Sequence, residues 1–148
     1  MRTIATEIVI DAAPPEVWAV LTDLDRYPEW NPFIREASGE LSPGSRLTLR
    51  TFPSGGRRPA TFRPEVLVVT PGRELRWLGR FFLPGLFDGE HWFRLSEAPG
   101  RATRLEHGEN FRGLLVPLLG KLLAGTQRDF TALNDALRKH AEKTAAAS

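Results

Sequence analysis

The first 33 residues constrain the fold most, because their hydrophobic pattern changes once, from the period of a strand to that of a helix. Residues 3–10 alternate apolar and polar side chains, which is typical of a half-buried strand. Pro14 and Pro15 then suit a first helical turn, where backbone amides lack partners anyway, and Glu16 favours the positive end of the helix. The apolar face of this helix ends near Asp25, so the chain is predicted to begin with a strand and a short helix.

Strand patterns separated by turn residues fill the middle of the chain, from Phe33 to Phe111. Each separator carries the glycine or proline that tight turns require, and such short connections make neighbouring strands antiparallel. Together with the first strand, about seven strands are predicted. The other candidate strands cover residues 33–38, 45–52, 60–70, 74–83, 87–97 and 102–111.

The helical period returns beyond Gly113 and predicts a long C-terminal helix over about residues 118–143, roughly 40 Å in length. A curved antiparallel sheet has one face that must be covered, and only this helix is long enough to cover it. We therefore predict an α+β fold with one domain over residues 1–148, in which the sheet wraps around the helix and residues 143–148 form a frayed tail. The apolar stripe of the helix consists of Leu119, Leu122, Thr126, Phe130, Leu133 and Leu137. The polar residues mostly opposite or beside that stripe are Arg128, Asp129, Asn134, Arg138 and Lys139.

Composition excludes several classes of protein. The 148 residues include no cysteine, which removes disulfides, thiolate nucleophiles and sulfur ligands to metals, and suits a reducing compartment. The N-terminus has no apolar secretion signal, and the apolar segment 114–123 is interrupted and too short to span a bilayer. We therefore expect a cytoplasmic protein without stable membrane insertion. The sequence has no phosphate-cradling glycine loop, dinucleotide fingerprint or credible zinc site, so neither a cofactor nor a metal is expected.

The basic residues do not have the pattern of a nucleic-acid footprint. The formal net charge is only +2, and several arginines of the strand region alternate with apolar neighbours, which is typical of a solvated sheet face. The one basic cluster, Arg57 and Arg58, follows two glycines in a segment with the composition of a turn. No nucleic-acid partner is therefore expected. An interaction module that grips a protein or RNA through its arginine-bearing sheet face stays open as a second alternative.

Several motifs resemble those of one known family. They are 9–18 (VIDAAPPEVW), 27–33 (YPEWNPF), 89–95 (GEHWFRL), 103–109 (TRLEHGE) and 111–115 (FRGLL). With them the chain resembles the polyketide cyclase/dehydrase group of the START-related SRPBCC superfamily, from about residue 3 to residue 143. The resemblance implies the helix-grip fold, with a deep apolar cavity between the sheet and the C-terminal helix. The superfamily includes lipid carriers, aromatase/cyclases, quinone-binding proteins and chaperone co-activators, so these motifs specify the fold rather than the activity, and no catalytic residue is carried over.

Strand alternation turns three polar side chains, those of His91, His107 and Glu109, towards the helix, on the same side as Phe93 and Leu105. An ionised carboxylate is prohibitively costly in an apolar core, so Glu109 requires a partner or a wet cavity. Three roles stay open. The inward His107 and Glu109 could bond only to each other, an arginine or the backbone, they could contact a ligand, or they could transfer a proton as a catalytic pair.

The aromatic side chains and one glycine favour a cavity. Gly79 lies between Trp77 and Phe81 on the inward side of its strand, and a missing side chain in mid-strand leaves room for a ligand. The leading hypothesis is binding of a hydrophobic or aromatic small molecule, such as a lipid, a polyketide or a quinone. The first alternative is a polyketide cyclase or dehydratase that uses His107 and Glu109. The predicted ligand-binding residues are Trp30, Phe62, Trp77, Gly79, Phe81, His91, Phe93, His107, Glu109, Phe111, Leu122 and Phe130.

Overall fold

The computed structural model describes residues 1–81 and 83–147, which form two antiparallel sheets around a long C-terminal helix. The strands are β1 (Arg2–Ile10), β2 (Ile34–Ser38), β3 (Thr48–Thr51), β4 (Ala60–Phe62), β5 (Glu65–Thr70), β6 (Glu74–Arg80), β7 (Asp88–Ala98) and β8 (Ala102–Arg112). The helices are α1 (Pro14–Thr22), α2 (Tyr27–Trp30) and α3 (Gly120–Ala146), with 3₁₀ turns at Leu24–Arg26 and Val116–Leu118. The larger sheet has the strand order β1-β8-β7-β6-β5 and the smaller one β2-β3-β4. The predicted α+β helix-grip architecture is confirmed.

The predicted strand over residues 60–70 is two strands in different sheets. Pro64 has no amide hydrogen to give to a sheet ladder, and the chain turns there from β4 into β5. The segment before β3 bridges the sheets, since the Leu47 amide donates to the Pro64 carbonyl at 2.9 Å and the Val66 amide donates to the Ser45 carbonyl at 2.8 Å. The described residues therefore contain eight strands where about seven were predicted. The predicted strand over 74–83 ends at Arg80, and Phe82 lies outside the described residues.

The first helix after β1 begins as the prolines near the N-terminus predict. α1 begins at Pro14, and the Ala13 amide donates to Glu16 Oε1 at 3.0 Å, so this carboxylate satisfies one amide at the helix start. After α2, Asn31 Oδ1 accepts hydrogen bonds from the backbone amides of Phe33 at 3.0 Å and Ile34 at 2.8 Å. These bonds turn the chain into β2.

The C-terminal half of α3 packs against β1 and α1 to form the larger of two hydrophobic clusters. Ile10, Val17, Leu21, Leu133 and Leu137 have no solvent exposure there. The helix continues to Ala146, past its predicted end at residue 143, and Ser148 at the end of the predicted tail lies outside the described residues. In the described part of the chain, no helix combines the length and the apolar character that crossing a membrane requires.

The outer face of the larger sheet carries arginines that are paired with carboxylates. Arg76 contacts Glu74 at 3.2 Å and Glu90 at 3.4 Å, and Arg104 contacts Glu7 at 2.6 Å. Opposite charges on adjacent strands compensate one another, so this face is a solvated surface with little excess of positive charge.

Candidate functional site

A cavity of about 350 Å³ lies between the N-terminal half of α3 and the two sheets. Leu119, just before α3, and Leu122, Leu123 and Thr126 within it contribute to the lining. Facing rings support one another: Phe62 and Phe81 meet edge to face with centroids 4.8 Å apart. The aromatic part of the lining consists of Phe33, Phe62, Trp77, Phe81, Phe87 and Phe111. The cavity therefore presents a mainly aromatic, apolar surface to whatever enters it.

Two glycines shape the floor of the cavity. Gly79 and Gly89 are register partners on β6 and β7, and both line the cavity. A Cβ atom on Gly89 would collide with Oε2 of Glu109, whereas a Cβ atom on Gly79 would meet nothing nearer than the Phe81 ring at 3.4 Å. Gly89 therefore makes room for the Glu109 carboxyl group, and Gly79 leaves free volume.

A chain of hydrogen bonds runs from the cavity floor into the layer behind it. Glu109 Oε1 lies 3.1 Å from His91 Nδ1, and His91 Nε2 lies 2.8 Å from His107 Nε2. His107 Nδ1 lies 2.7 Å from Asn134 Oδ1 on α3, and Asn134 Nδ2 donates to Thr6 Oγ1 on β1 at 2.7 Å. We call these five residues the buried polar chain. It ties β1, β7, β8 and α3 together at the boundary of the cavity.

Aromatic rings hold the two imidazoles of the chain in place. The His107 ring is stacked between Phe93 and Phe130, with centroids 4.3 Å from each. The His91 ring stacks on Trp77 at 4.8 Å, with the planes inclined by 19°. Rotation of either imidazole would break this packing as well as its hydrogen bonds, so the chain is rigid.

Burial determines the charge state of the chain. Loss of solvation raises the pKa of Glu109 from its usual 4.5 to about 8 and lowers the pKa of His91 from 6.5 to about 3. The pKa of His107 is also well below its usual value, first because of burial and second because of the adjacent His91. The contact between Glu109 and His91 is therefore a hydrogen bond between neutral groups rather than an ion pair. Residues 1–81 and 83–147 contain no group of three or more metal-ligating side chains that could hold an ion.

The predicted ligand-binding residues fall in three places. His107, Phe93 and Phe130 lie behind the cavity lining, where their side chains are buried against one another. Strand alternation for His107 and Phe93, and helical period for Phe130, predict which side of an element a residue faces but not its depth, so they do not distinguish the ligand surface from the layer behind it. The predicted residues that do line the cavity are Phe62, Trp77, Gly79, Phe81, His91, Glu109, Phe111 and Leu122.

Trp30 lies outside the cavity altogether. It contacts Tyr27 edge to face at 5.2 Å and stacks on His140 at 6.2 Å. These contacts place it in a separate surface depression beside the C-terminal end of α3. The short helix α2 packs against that end of α3, and Trp30 is the last residue of α2, so its indole lies there rather than at the cavity.

The sequence patterns do not predict two features of the site: the burial of Asn134 and Asp129 on α3, and the role of Gly89 at the cavity floor. Asn134 and Asp129 were assigned to positions mostly opposite or beside the apolar stripe, yet both are buried, with 2% and 5% of their surface exposed. Asn134 follows Phe130 by four residues and precedes Leu137 by three, and this spacing was the available signal that it shares their face. Gly89 could have been found as the register partner of Gly79, had the pairing of the strands been known.

The loop between β3 and β4 closes one side of the cavity mouth. Arg57 Nη2 lies 3.0 Å from Asp129 Oδ2 on α3, and the same carboxylate accepts a hydrogen bond from the Ser54 amide at 3.2 Å. Gly125 allows this approach, because a Cβ atom there would press on the Arg57 guanidinium. Arg57 and Arg58 both line the mouth. The ion pair therefore attaches the loop to the helix.

Comparisons with known proteins agree with this architecture. A family described as polyketide cyclase / dehydrase and lipid transport matches residues 1–142. No curated protein sequence matches the chain. Among solved structures, a Mesorhizobium loti protein has a TM-score of 0.77 at 20% identity, with 97% of this chain and 98% of that chain covered. The Zhui aromatase/cyclase of Streptomyces sp. R1128 has a TM-score of 0.75 at 18% identity, with 96% and 94% covered.

A START superfamily protein from Mycobacterium smegmatis has a TM-score of 0.73 at 19% identity, with 96% of this chain and 98% of that chain covered. At these identities the solved structures establish the shared fold alone. The family match extends over nearly the whole sequence, from β1 to the last turns of α3. The chain therefore belongs to the polyketide cyclase/dehydrase and lipid transport family.

Proposed function

We propose that this protein binds a hydrophobic or aromatic small molecule, such as a lipid, a polyketide or a quinone, between its sheets and α3. The observation that carries the proposal is the aromatic cavity of about 350 Å³ with a polar floor. The description of the family, which includes lipid transport, and a structural neighbour that is an aromatase/cyclase support a ligand of this kind.

The energetics are compatible with such a ligand. Burying about 300 Å² of apolar ligand surface contributes roughly 7 kcal/mol before the losses of association, at 25 cal/mol per Å². Association itself removes at least about 4 kcal/mol. An apolar cavity alone would therefore bind weakly and with little selectivity, so the polar groups at the floor are needed to orient the ligand.

Calorimetric titration with 1-methoxynaphthalene tests the proposal, because this ligand is aromatic and carries no hydrogen-bond donor. We expect saturable binding of one ligand with a negative heat-capacity change, as burial of apolar surface requires. Gly79→Leu should abolish this binding, because its side chain would fill the floor beside Phe81. Arg94→Gln, on the outer face where Arg94 contacts Glu74, is the matched control and should bind like the parent protein.

A folded Gly79→Leu variant that binds as tightly as the parent protein would contradict the proposal. Absence of any binding by the parent protein to 1-methoxynaphthalene and to a long-chain alcohol would also contradict it. Circular dichroism and urea unfolding of the variant establish that it is folded before the comparison is made.

A cyclase or dehydratase activity is the second candidate function, and the position of Glu109 at the cavity floor is the observation that favours it. Glu109 would be the group that exchanges a proton with the ligand, because His107 lies behind His91. Glu109→Gln should then abolish turnover of a poly-β-ketone substrate while preserving its binding. Unchanged turnover would reject this role.

An interaction module that grips a protein or RNA receives less support. It depends on the arginine-bearing sheet face, where Arg76, Arg94 and Arg104 are each paired with a glutamate of a neighbouring strand. Such pairs leave little excess charge for a polyanion. Binding of this kind would depend strongly on salt, and a titration with RNA at low and high salt would detect it.

A further inference from the structure

The orientation of each hydrogen bond in the buried polar chain can be derived from its outer end. The Thr6 hydroxyl donates to the His107 carbonyl oxygen at 2.7 Å, so its oxygen is free to accept the amide hydrogen of Asn134 Nδ2 at 2.7 Å. Since Nδ2 is the donor to Thr6, the atom of Asn134 that faces His107 Nδ1 is the carbonyl oxygen Oδ1. His107 therefore carries a hydrogen on Nδ1 and donates it to Asn134.

The next two hydrogen bonds lead inward to the cavity and have the same direction. A neutral His107 with its hydrogen on Nδ1 has a bare Nε2, so His91 must donate its Nε2 hydrogen across the 2.8 Å contact. Burial lowers the pKa of His91 and keeps this ring neutral, so its one hydrogen is on Nε2 and its Nδ1 is bare. Glu109, whose pKa burial raises, then donates a hydrogen from Oε1 to His91 Nδ1 at 3.1 Å. The chain is thus a row of neutral donors that all point from Glu109 towards the helix.

This direction fixes the character of the atom that faces the ligand. If Oε1 of Glu109 carries the hydrogen, Oε2 is a carbonyl oxygen and can only accept a hydrogen bond. Oε2 occupies the space over Gly89, a cavity-lining residue, and it has no hydrogen-bond partner in residues 1–81 and 83–147.

The hydroxyl hydrogens of the other lining residues are already donated to backbone carbonyls, and the arginines of the lining lie at the mouth. The Thr51 hydroxyl donates to the Ala60 carbonyl at 3.4 Å, and the Thr126 hydroxyl donates to the Leu122 carbonyl at 3.0 Å. Arg57 is paired with Asp129 at the mouth. Within residues 1–81 and 83–147, Oε2 of Glu109 is therefore the carboxyl oxygen that faces the floor without a hydrogen bond, and its surroundings are apolar.

We propose that the cavity selects a neutral hydrophobic ligand that carries a hydroxyl group, a phenol, enol or alcohol, and that this hydroxyl donates to Oε2 of Glu109. The inference rests on the proposed function and specifies the ligand class within it. A ligand without the donor leaves Oε2 buried and unpaired, which a site of this kind disfavours strongly. A ligand that carried a carboxylate would place a second acceptor and a negative charge beside Oε2 in apolar surroundings, so such ligands are disfavoured.

The electrostatic surroundings are consistent with a neutral chain. Burial raises the pKa of Glu109 and lowers those of both histidines, so that all three are uncharged near neutral pH. The side chains packed against the chain from β6, β7 and α3 are Trp77, Phe93 and Phe130, none of which titrates. The charged groups that face the cavity are Arg57 and Arg58 at its mouth.

Glutamine at position 109 provides a specific test, because it reproduces the donor and acceptor pattern of a protonated glutamate. The side-chain amide would donate to His91 Nδ1, and its carbonyl oxygen would take the place of Oε2. Leucine at the same position keeps much of the volume and removes the acceptor. If Glu109 were ionised, glutamine would instead weaken the preference for a hydroxyl, because an amide oxygen is a weaker acceptor than a carboxylate.

The experiment compares 1-naphthol with 1-methoxynaphthalene by calorimetry at pH 6.5, where the chain is neutral. We expect 1-naphthol to bind about tenfold more tightly to the parent protein and to Glu109→Gln. In Glu109→Leu the ratio of the two affinities should fall to about one. If Glu109→Leu does not fold, ¹⁵N NMR of the parent protein gives the same information, with His107 protonated on Nδ1 and His91 on Nε2.

The outcomes separate this inference from the proposed function. Equal affinity of the parent protein for the two ligands, or loss of the preference in Glu109→Gln, would overturn the inference and leave the proposed function in place. His91 protonated on Nδ1 would overturn it as well. Failure of both ligands to bind would instead contradict the proposed function itself.

Discussion

The two halves of α3 face the same larger sheet but enclose different interiors. The C-terminal half packs Leu133, Leu137 and Ala141 against β1 and α1 with almost no exposed surface. The N-terminal half places Leu122 and Thr126, both half-buried, over an open cavity. We call these regions the packed half and the hollow half.

The difference between the halves arises in the sheet rather than in the helix. Below the hollow half, the register pair of Gly79 and Gly89 supplies no side chains, whereas below the packed half Leu95 and Leu105 are paired and buried. The buried polar chain lies at the boundary and ties the helix to β1 through Asn134 and Thr6. The hollow half can therefore remain open without loosening the attachment of α3.

The largest expected contrast is between two leucine truncations on α3. Leu137→Ala in the packed half should lower the free energy of unfolding by about 2–5 kcal/mol, because it creates a cavity in a close-packed core. Leu122→Ala in the hollow half should lower it by less than about 1 kcal/mol, because this side chain already borders empty space. Urea unfolding of both variants measures the difference. Equal losses would mean that the two halves are packed alike.

The two floor glycines form a second matched pair. Gly89→Ala should lower the free energy of unfolding by about 1–3 kcal/mol, because its Cβ atom displaces the Glu109 carboxyl group from His91. Gly79→Ala should change it by less than about 0.5 kcal/mol, since the nearest atom to its Cβ lies at ordinary contact distance. Thermal unfolding checks the stability, and the naphthol preference should disappear in Gly89→Ala alone. If Gly79→Ala proves the more harmful change, the assignment of the floor is wrong.

The buried polar chain should also shape the dependence of stability on pH. The raised pKa of Glu109 gives a contribution that is complete below 4.5 and is lost as the pH rises through about 8. The lowered pKa values of His91 and His107 give contributions that are present above 6.5 and are lost as the pH falls towards the folded-state values. The summed contribution of these three groups to the free energy of unfolding is therefore largest near pH 6.5.

Between pH 6.5 and 8 the parent protein should therefore lose about 1–2 kcal/mol of unfolding free energy. Glu109→Gln has no titrating group at this position and should lose none of it, while the decline below pH 6.5 should persist. Urea unfolding at a series of pH values gives both slopes. A parallel decline of both proteins above pH 6.5 would show that Glu109 is not held neutral.

The smallest effect is expected at the mouth of the hollow half. Arg57→Gln removes the ion pair to Asp129 and should speed ligand association and dissociation by roughly threefold to tenfold, in proportion to a contact of about 1 kcal/mol. Arg58→Gln is the matched control, since Arg58 lines the same mouth without contacting Asp129. Stopped-flow fluorescence resolves the rates. Equal acceleration by both variants would indicate a general effect of charge rather than the attachment of the loop.

The sequence was sufficient for the layers of the fold, because alternation and helical period report which side of an element is buried. It correctly turned His91, His107, Glu109 and Gly79 inward, and it identified the long covering helix. It does not distinguish the cavity floor from the layer behind it: the pattern predicts His107 at the ligand surface, whereas His107 lies behind the lining.

The depth of a residue depends on long-range packing that local periodicity does not contain. The edge of a helical stripe is similarly ambiguous, which is why Asn134 was assigned away from the core that it joins. The split at Pro64 depends on which sheet each half-strand joins, and this is also a long-range property. Strand registers would have revealed the partnership of Gly79 and Gly89.

The central claim is that α3 covers the sheet incompletely and leaves a hollow that receives an apolar ligand. An isotope-filtered NOE spectrum of bound 1-naphthol locates the ligand directly. We predict contacts with the Trp77 ring and with the methyl groups of Leu122 and Thr126, which all line the cavity. Contacts confined to Trp30 in the separate surface depression, or to the exposed Leu114 and Leu118, would contradict the account.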